Sequence, residues 1–415
     1  MTVSLIHSAN GPSSGEPLDG PEPGSISLEN LLFPIDVDRF FAEYWENDVL
    51  VVNRDQPSYF KSFLSLDDLD AFVATGGLDG SVLSMVDAKR EIAPDDYLFP
   101  TGVVDPVRAF GLFAEGATLI LQQLQGRHGP LAQLCRAMEA RFGYRFQTNV
   151  YFTPAGSAQG FKPHWDSHDV FVIQVAGSKS WKIYDTPMTL PDRTVHFDPK
   201  SYELGAVTRS FTLNAGDIAY VPRGVVHDAQ STDDMSLHIT LGCMSTTWRE
   251  ALHAAVDALS LTNPRIRQAL PPGFHADGFD ATGAAGIFRD IVDALGRETD
   301  VGAVLREFAD DLAETRMALV PGQLAALAML PALDAQTSLR TRPDLIFRLE
   351  THDDETLGVY VFGRVLKFPL HVRPELEALL RPGPKTSATL PGDLDPDSRL
   401  VLVRRLVKEG VLTAD

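Results

Sequence analysis

The hydrophobic positions of this chain follow a helical period near both ends and a strand-like pattern in the middle. Val37, Phe40 and Tyr44 fall on one face of a helix, and Leu131 and Leu134 begin the apolar stripe of a later one. Before residue 147 the pattern predicts helices over 36–45, 65–73 and 130–142, with short strands over 49–52 and 117–121.

The middle of the chain, from Gln147 to about Gly242, is rich in β-branched and aromatic segments separated by proline and glycine. Asp169–Val175 and Lys179–Tyr184 flank Gly177-Ser178, which predicts a β-hairpin. No helical pattern interrupts this region. The sequence therefore predicts a closed antiparallel barrel or sandwich.

The last part of the chain returns to helical spacing and then mixes short strands with helices. Helices are predicted over 250–259, 287–295, 304–312, 321–329, 375–380 and 395–409, and strands over 345–349, 357–361 and 364–368. The helix predicted over 395–409 is followed by Gly410 and a short strand. This order suggests a winged-helix-like unit. The chain is thus divided into a mobile tail (1–25), a β-rich domain with an N-terminal helical extension (26–245), a helical region (246–332) and the winged-helix-like unit (333–415).

Composition and charge describe an ordinary globular protein with an acidic surface. Of 415 residues, 44% are hydrophobic and 22% charged, and 36 basic against 56 acidic residues give a net charge of −20. This balance argues against nucleic acid as a partner and favours a basic polypeptide. Cys135 and Cys243 are too few for a disulfide framework. With no export signal or membrane span in the pattern, we expect a cytoplasmic protein.

Candidate chemistry is concentrated in the β-rich part. His164 and Asp166 are two residues apart, so on an extended strand their side chains share one face. His227 follows the turn Pro222–Gly224. Alone, each of these residues would more often be exposed or hydrogen-bonded, but two imidazoles and one carboxylate are the ligand set of non-haem Fe(II) oxygenases.

Other polar and aromatic residues of this part are assigned more modest roles. Lys179 is placed to meet the distal carboxylate of an oxo-acid co-substrate, and Tyr151 to add a hydroxyl donor. His168 is expected to lie behind the ligands or face the substrate, and His238 to pack near the site. Asp217 is expected to fix a turn. Trp165 and Trp181 are read as packing residues rather than a cage for methylated lysine.

These motifs resemble the JmjC/cupin core of the ribosomal oxygenases. The likeness rests on His164 to Tyr184 and Gly216 to His227, with Tyr44-Trp45-Glu46 and Asn149 to Pro154 before them. It implies a double-stranded β-helix with helical flanks, a helical dimerisation region over 246–332 and a C-terminal winged helix. It also implies Fe(II) bound by His164, Asp166 and His227, and 2-oxoglutarate bound by Lys179 with help from Asn149 or Tyr151. The segment 186–209 and His168 depart from the family pattern.

The sequence therefore favours a homodimeric Fe(II)- and 2-oxoglutarate-dependent oxygenase that hydroxylates a side chain in a basic polypeptide, such as a ribosomal protein. Two other interpretations remain open at this stage. The same core can modify a small molecule or a biosynthetic peptide, or it can be a metal-binding cupin module without turnover. A winged-helix DNA regulator is disfavoured by the net charge of −20.

Overall fold

The computed structural model of the protein describes residues 25–75 and 77–414, so the tail predicted over 1–25 lies almost wholly outside the described residues. The helices are α1 (Leu28–Leu32), α2 (Val37–Glu43), α3 (Leu66–Thr75), α4 (Pro106–Ala114), α5 (Gly129–Phe142), α6 (Trp248–Thr262), α7 (Thr282–Glu298), α8 (Val301–Thr315), α9 (Gln323–Met329), α10 (Arg373–Leu380) and α11 (Pro396–Lys408). The strands are β1 (Leu50–Val52), β2 (Leu83–Val86), β3 (Thr118–Leu121), β4 (Arg145–Thr153), β5 (Asp169–Ile183), β6 (Arg209–Asn214), β7 (Ile218–Val221), β8 (His227–Met244), β9 (Leu339–Thr341), β10 (Arg348–Thr351), β11 (Thr356–Val361), β12 (Arg364–Pro369), β13 (Pro384–Lys385) and β14 (Leu412–Ala414).

The centre of the molecule is an eight-stranded antiparallel sheet with the order β1-β7-β5-β8-β4-β3-β2, in which β6 also pairs with β5. Two long strands hold it together. β5 pairs with β8 along most of its length, while its first half also pairs with β7 and its second half with β6. β8 also pairs with β4 from Arg145 to Thr153. The mainly β core with helical flanks, predicted from the sequence, is confirmed.

The hairpin predicted at Gly177-Ser178 is wrong, because β5 runs unbroken through these residues. The pairing with β8 shifts register between Gln174 and Ala176 and between Gly177 and Lys179. Gly177 has φ +61°, and a Cβ there would lie 1.7 Å from the Met235 carbonyl oxygen. The glycine therefore marks a bulge that bends one strand, and not the turn of a hairpin.

The extended strand predicted around His164 and Asp166 is also wrong. Both residues lie in the irregular segment between β4 and β5, where His164 forms a single bridge with His227. The two residues exchange backbone hydrogen bonds of 3.1 and 2.8 Å. β8 begins at His227 itself, so Val225 and Val226 precede the strand.

The N-terminal helices pack on one face of the sheet. Their apolar side chains join those of β5 and β7 in the largest core of the molecule, where Phe40, Phe171 and Tyr220 are nearly inaccessible to water. The three rings lie within 5.7 Å of one another, centroid to centroid. Burial of such aromatic surface is a main source of stability, at about 25 cal/mol per Å² of apolar area.

Two smaller units follow the sheet. Helices α6–α8 share a small apolar cluster around Ala251, Ala255 and Val304. The C-terminal residues form two three-stranded sheets, β10-β11-β12 and β13-β9-β14, over a core that includes α10 and α11. No helix in the described residues has the length and apolar character needed to cross a membrane.

Candidate metal and co-substrate site

His164, Asp166 and His227 lie together at one end of the sheet. One ligand atom from each lies within 4.8 Å of the others, and no other cluster of this kind occurs in the described part of the chain. Nε2 of His227 is 3.7 Å from a carboxylate oxygen of Asp166, and the two imidazole centroids are 4.8 Å apart. The donor set of two nitrogens and one oxygen is the one that Fe(II) oxygenases use.

Hydrogen bonds fix the tautomer of both histidines. Nδ1 of His164 is 2.9 Å from the Lys162 carbonyl oxygen, and Nδ1 of His227 is 3.0 Å from that of Val225. A carbonyl oxygen only accepts, so each Nδ1 carries the proton and each Nε2 keeps its lone pair for a metal. Burial and the neighbouring His164 lower the pKa of His227, which favours the neutral ligand form.

The turn before β8 sets the position of Asp166. The backbone N–H of Gly224 donates to the Asp166 carbonyl oxygen at 3.0 Å. Gly224 has φ +88°, and a Cβ there would approach the Met188 carbonyl oxygen to 2.1 Å. Arg223 anchors the same turn through its ion pairs with Asp169 and Glu46, each 2.6 Å long. A side chain at position 224 would therefore displace a ligand-bearing segment.

Asp217 has the structural role expected of it. It is almost fully buried, and its carboxylate accepts hydrogen bonds from the backbone N–H groups of Arg54 and Asn214, at 2.6 and 2.8 Å. These bonds fasten the turn between β6 and β7 to the N-terminal region. The residue lies outside the metal-ligand cluster.

Lys179 lies on β5, and its side chain is buried, with 5% exposed. Its Nζ donates to Oγ1 of Thr153 at 3.1 Å, and no described ion pair includes it. Burial lowers the pKa of this ammonium group to about 7. An unpaired buried cation is costly, so the interior of the barrel favours an incoming carboxylate.

Tyr151 and His238 form one wall beside Lys179. Their rings are stacked at 4.9 Å with an interplanar angle of 5°. Burial, with a contribution from Asp166, raises the pKa of Tyr151 to about 12, so its phenol stays a hydrogen-bond donor. His238 is 2% exposed, and its Nδ1 has no hydrogen-bond partner among the described residues. Burial and Lys179 hold the pKa of His238 well below its usual value.

Asn149 lies two residues before Tyr151 on the same face of β4. Its side-chain oxygen accepts a hydrogen bond of 3.0 Å from the backbone N–H of Gln123. Its amide nitrogen remains as a donor for a co-substrate, although Tyr151 also hydrogen-bonds to this side chain. The assignment of Asn149 to the co-substrate stays a prediction.

The remaining histidine and the tryptophans lie around the ligands. His168 packs against Gly242. A Cβ added to Gly242 would lie 2.7 Å from the His168 ring. Trp181 lies 5.9 Å from both His227 and His238, centroid to centroid. Trp165 is buried with Tyr184 and Val226 beneath side chains of the segment 186–208. Both tryptophans thus pack around the site.

Two contributors to the site were not found from the sequence. Thr153 is the hydrogen-bond partner of Lys179, and the ring of Phe161 lies 5.6 Å from that of His164. Strand alternation could have indicated Thr153, because it shares the face of Tyr151. Phe161 lies in an irregular segment and carried no periodic signal.

The residues present fit a metal ion and an oxo-acid. The donor set suits Fe(II), both histidines are oriented through Nδ1, and Lys179 has no carboxylate partner among the residues that the structure describes. These observations come from the side chains of this chain alone.

Comparisons with known proteins give the same result. Residues 121–251 match the family model of the JmjC domain. Bovine ribosomal oxygenase 2 is 29% identical over 387 residues, which cover 86% of this chain and 80% of that protein. These matches support the JmjC ribosomal oxygenase family for this chain. It is a 2-oxoglutarate-dependent oxygenase that uses Fe(II), as the sequence predicted.

Two further relatives of this JmjC oxygenase differ in how much they share with it. The Drosophila yakuba bifunctional lysine-specific demethylase and histidyl-hydroxylase NO66 is 35% identical, covering 54% of this chain and 33% of that protein. The chain thus spans about a third of that relative. A structure of Escherichia coli YcfD, a ribosomal oxygenase in complex with cobalt and 2-oxoglutarate, is 18% identical, with a TM-score of 0.52 over 92% of this chain and 99% of that one. This likeness supports the fold.

The lowered pKa of Lys179 predicts that the stability of the ligand-free JmjC oxygenase depends on pH. Its pKa is about 7 in the folded state and 10.5 for the free side chain, so between these values the unfolded state binds more protons. The free energy of unfolding should therefore rise with pH across this window, by at most about 1.4 kcal/mol per pH unit. Below about pH 7 the full cost of the buried cation is present.

Urea denaturation of wild type and Lys179→Met at several pH values would measure this effect. The difference between the two proteins should shrink as pH rises from about 7 to 10.5. A difference that stays constant over this window would show that burial does not lower the pKa of Lys179.

Proposed function

We propose that this oxygenase hydroxylates an amino-acid side chain in a basic polypeptide, with a ribosomal protein as the leading candidate. Bound Fe(II) and 2-oxoglutarate supply the activation of O₂ that inserts one oxygen atom into a C–H bond. The observation that carries the proposal is the cluster of His164, Asp166 and His227 together with the buried Lys179, which has no acidic partner among the described residues. The relatives named ribosomal oxygenase 2 and histidyl-hydroxylase support the substrate class.

In this proposal each side chain has one task. His164, Asp166 and His227 bind the metal, with the histidines held by backbone carbonyl oxygens. Lys179 binds the distal carboxylate of 2-oxoglutarate, and Tyr151 donates its phenolic proton to the same group or to a nearby oxygen. Trp181 and the stacked pair of Tyr151 and His238 exclude water around the cation.

Charge and the segment 186–208 support a polypeptide substrate. A net charge of −20 favours association with a basic chain. Val195, Phe197 and Tyr202 of this segment pack against Trp165, which lies between two metal ligands in sequence. Met188, Leu190, Leu204 and Val207 of the same segment are exposed. The segment thus offers apolar contacts next to the site, as a substrate-binding flap would.

Mass spectrometry of ribosomal proteins from cells with and without this protein tests the proposal. We expect one protein to be heavier by one oxygen atom only when the oxygenase is present. Cells that produce the His227→Ala variant serve as a matched control and should lack the modification. If no ribosomal protein differs, while purified enzyme hydroxylates a small molecule or a biosynthetic peptide, the alternative substrate class replaces this one.

The assembly and the outer domains belong to the same proposal. We infer the domain limits 26–245, 246–332 and 333–415, a winged-helix-like C-terminal unit and a homodimer formed through the helical region. Supporting the dimer, α6–α8 bury few side chains among themselves, while Trp248, Leu252 and Phe288 are more than half exposed. A cytoplasmic location remains a prediction from composition.

The dimer makes a specific prediction. Leu252→Glu and Phe288→Glu together should convert a particle of twice the chain mass into a monomer, because charged groups cannot be buried unpaired at the interface. Light scattering coupled to size exclusion measures the mass. Val401→Glu, at a 65% exposed position on α11, is the control and should leave the mass unchanged. A wild type that is monomeric at high concentration would disprove the dimer.

A further inference from the structure

A second cavity, outside the metal site, lies where α5 meets the connection between α8 and α9 and the residues after β9. Its volume is about 340 Å³. Apolar side chains form much of its wall, including Leu319, Leu345, Ile346 and Phe362. Three guanidinium groups, those of Arg136, Arg316 and Arg342, also line it, together with Asp344. None of these residues belongs to the metal and co-substrate site.

Arg342 is a buried cation without an acidic partner in the described part of the chain. It is 5% exposed, and it donates to Gly410 O at 2.6 Å, Pro321 O at 2.8 Å and Gln323 Oε1 at 2.7 Å. All three acceptors are neutral. Burial lowers the pKa of Arg342, and no carboxylate of the described residues offsets that effect. Because a guanidinium carries five N–H groups, two remain for another acceptor.

The other two arginines share a single carboxylate. Nη1 of Arg136 and Nε of Arg316 both donate to Oε2 of Glu139, at 2.6 and 2.7 Å. Asp344 is the second acidic group close to Arg316. Three guanidinium groups thus face two carboxylates. The chain as a whole has a net charge of −20, so the positive charge around this cavity is opposite in sign to that of the composition.

These features are not those of a tightly packed domain junction. Protein interiors are filled to the density of organic crystals, so a cavity of this size with apolar walls is a departure from ordinary packing. The volume lies in the range of small-molecule sites, which combine apolar walls with a few fixed polar groups. The single excess positive charge suits a monoanion better than a phosphate ester, and the apolar walls suit a hydrocarbon body.

We propose that this cavity binds a small monocarboxylate with an apolar body, with its carboxylate on Arg342 and its hydrocarbon part against Leu319, Leu345 and Phe362. The ligand would contact α5 and the C-terminal residues at once. α5 leads directly into β4, the strand of Tyr151 and Thr153. Occupancy would therefore join the C-terminal unit to the catalytic domain and raise the melting temperature of the whole chain.

Isothermal titration calorimetry with octanoate tests the proposal. The full chain is first loaded with Mn(II) and saturating 2-oxoglutarate, so that the barrel is already occupied. We expect one octanoate per chain, and octanamide, which has the same shape but no charge, should bind at least about tenfold more weakly. Equal binding of acid and amide, or no binding of octanoate at millimolar concentration, would overturn the proposal.

Two variants separate this cavity from non-specific association. Arg342→Met should weaken octanoate binding by at least about tenfold, and Arg306→Met, an exposed arginine on α8, should leave it unchanged. Gln133 is an exposed residue of α5 that lines the cavity, so Gln133→Trp should fill the space without loss of the fold. If Arg342→Met does not fold, Gln133→Trp decides, and octanoate binding that survives this replacement would overturn the assignment.

Discussion

Replacing His227 with alanine should abolish Fe(II) binding and turnover and leave the fold intact. The cluster would then keep only His164 and Asp166, and two ligands do not hold Fe(II) firmly at neutral pH. The loss of turnover should exceed about a thousandfold, because the metal carries the oxygen chemistry. Calorimetry with Mn(II) measures the binding, and succinate formation measures the turnover.

The control for this experiment is another histidine close to the site. His168 packs against Gly242 and lies outside the ligand cluster, so His168→Ala should retain metal binding. Circular dichroism should give the same spectrum for wild type and both variants. Full succinate production by His227→Ala would remove this residue from the ligand set.

The second large effect is expected at Lys179. Lys179→Ala should leave metal affinity nearly unchanged and raise the KM for 2-oxoglutarate by about one to three orders of magnitude. This corresponds to the roughly 2 to 4 kcal/mol that is lost when a desolvated charge pair loses one partner. Its Nζ has only the Thr153 hydroxyl as a described hydrogen-bond partner, so the co-substrate carboxylate would be its first charged partner.

Lys179→Arg tests the same interaction from the other side. A guanidinium also pairs with a carboxylate, so part of the affinity should return, limited by the room for the longer side chain. Thr153→Val is a useful companion, because it removes the hydroxyl that holds Nζ at 3.1 Å and should raise the KM less than Lys179→Ala. If Lys179→Ala consumes 2-oxoglutarate like the wild type, another cation binds the carboxylate.

The helices and strands could be predicted from the sequence wherever the hydrophobic residues recur with a regular period. β11, β12 and α5 differ from their predictions by one residue at one end, and α11 differs by one residue at each end. The triad was found because the residue types and their order are specific. Lys179 was singled out because a dicarboxylic co-substrate needs a buried cation; the structure shows Lys179 buried, and its role stays a prediction.

The local geometry could not be read in the same way. Gly177-Ser178 has the composition of a turn, yet the close approach of the Met235 carbonyl oxygen makes it a bulge in a continuous strand. His164 and Asp166 share a site without sharing a strand, because the bridge between His164 and His227 positions them. Such tertiary contacts between distant segments leave no periodic signal in the sequence.

The most direct measurement supplies the purified oxygenase with Fe(II), 2-oxoglutarate, ribosomal proteins and oxygen gas enriched in the heavy isotope. If the account is right, one polypeptide gains a single heavy oxygen atom in step with succinate formation, and neither product appears with His227→Ala. Incorporation of oxygen from water, or a modified polypeptide in the absence of 2-oxoglutarate, would contradict it.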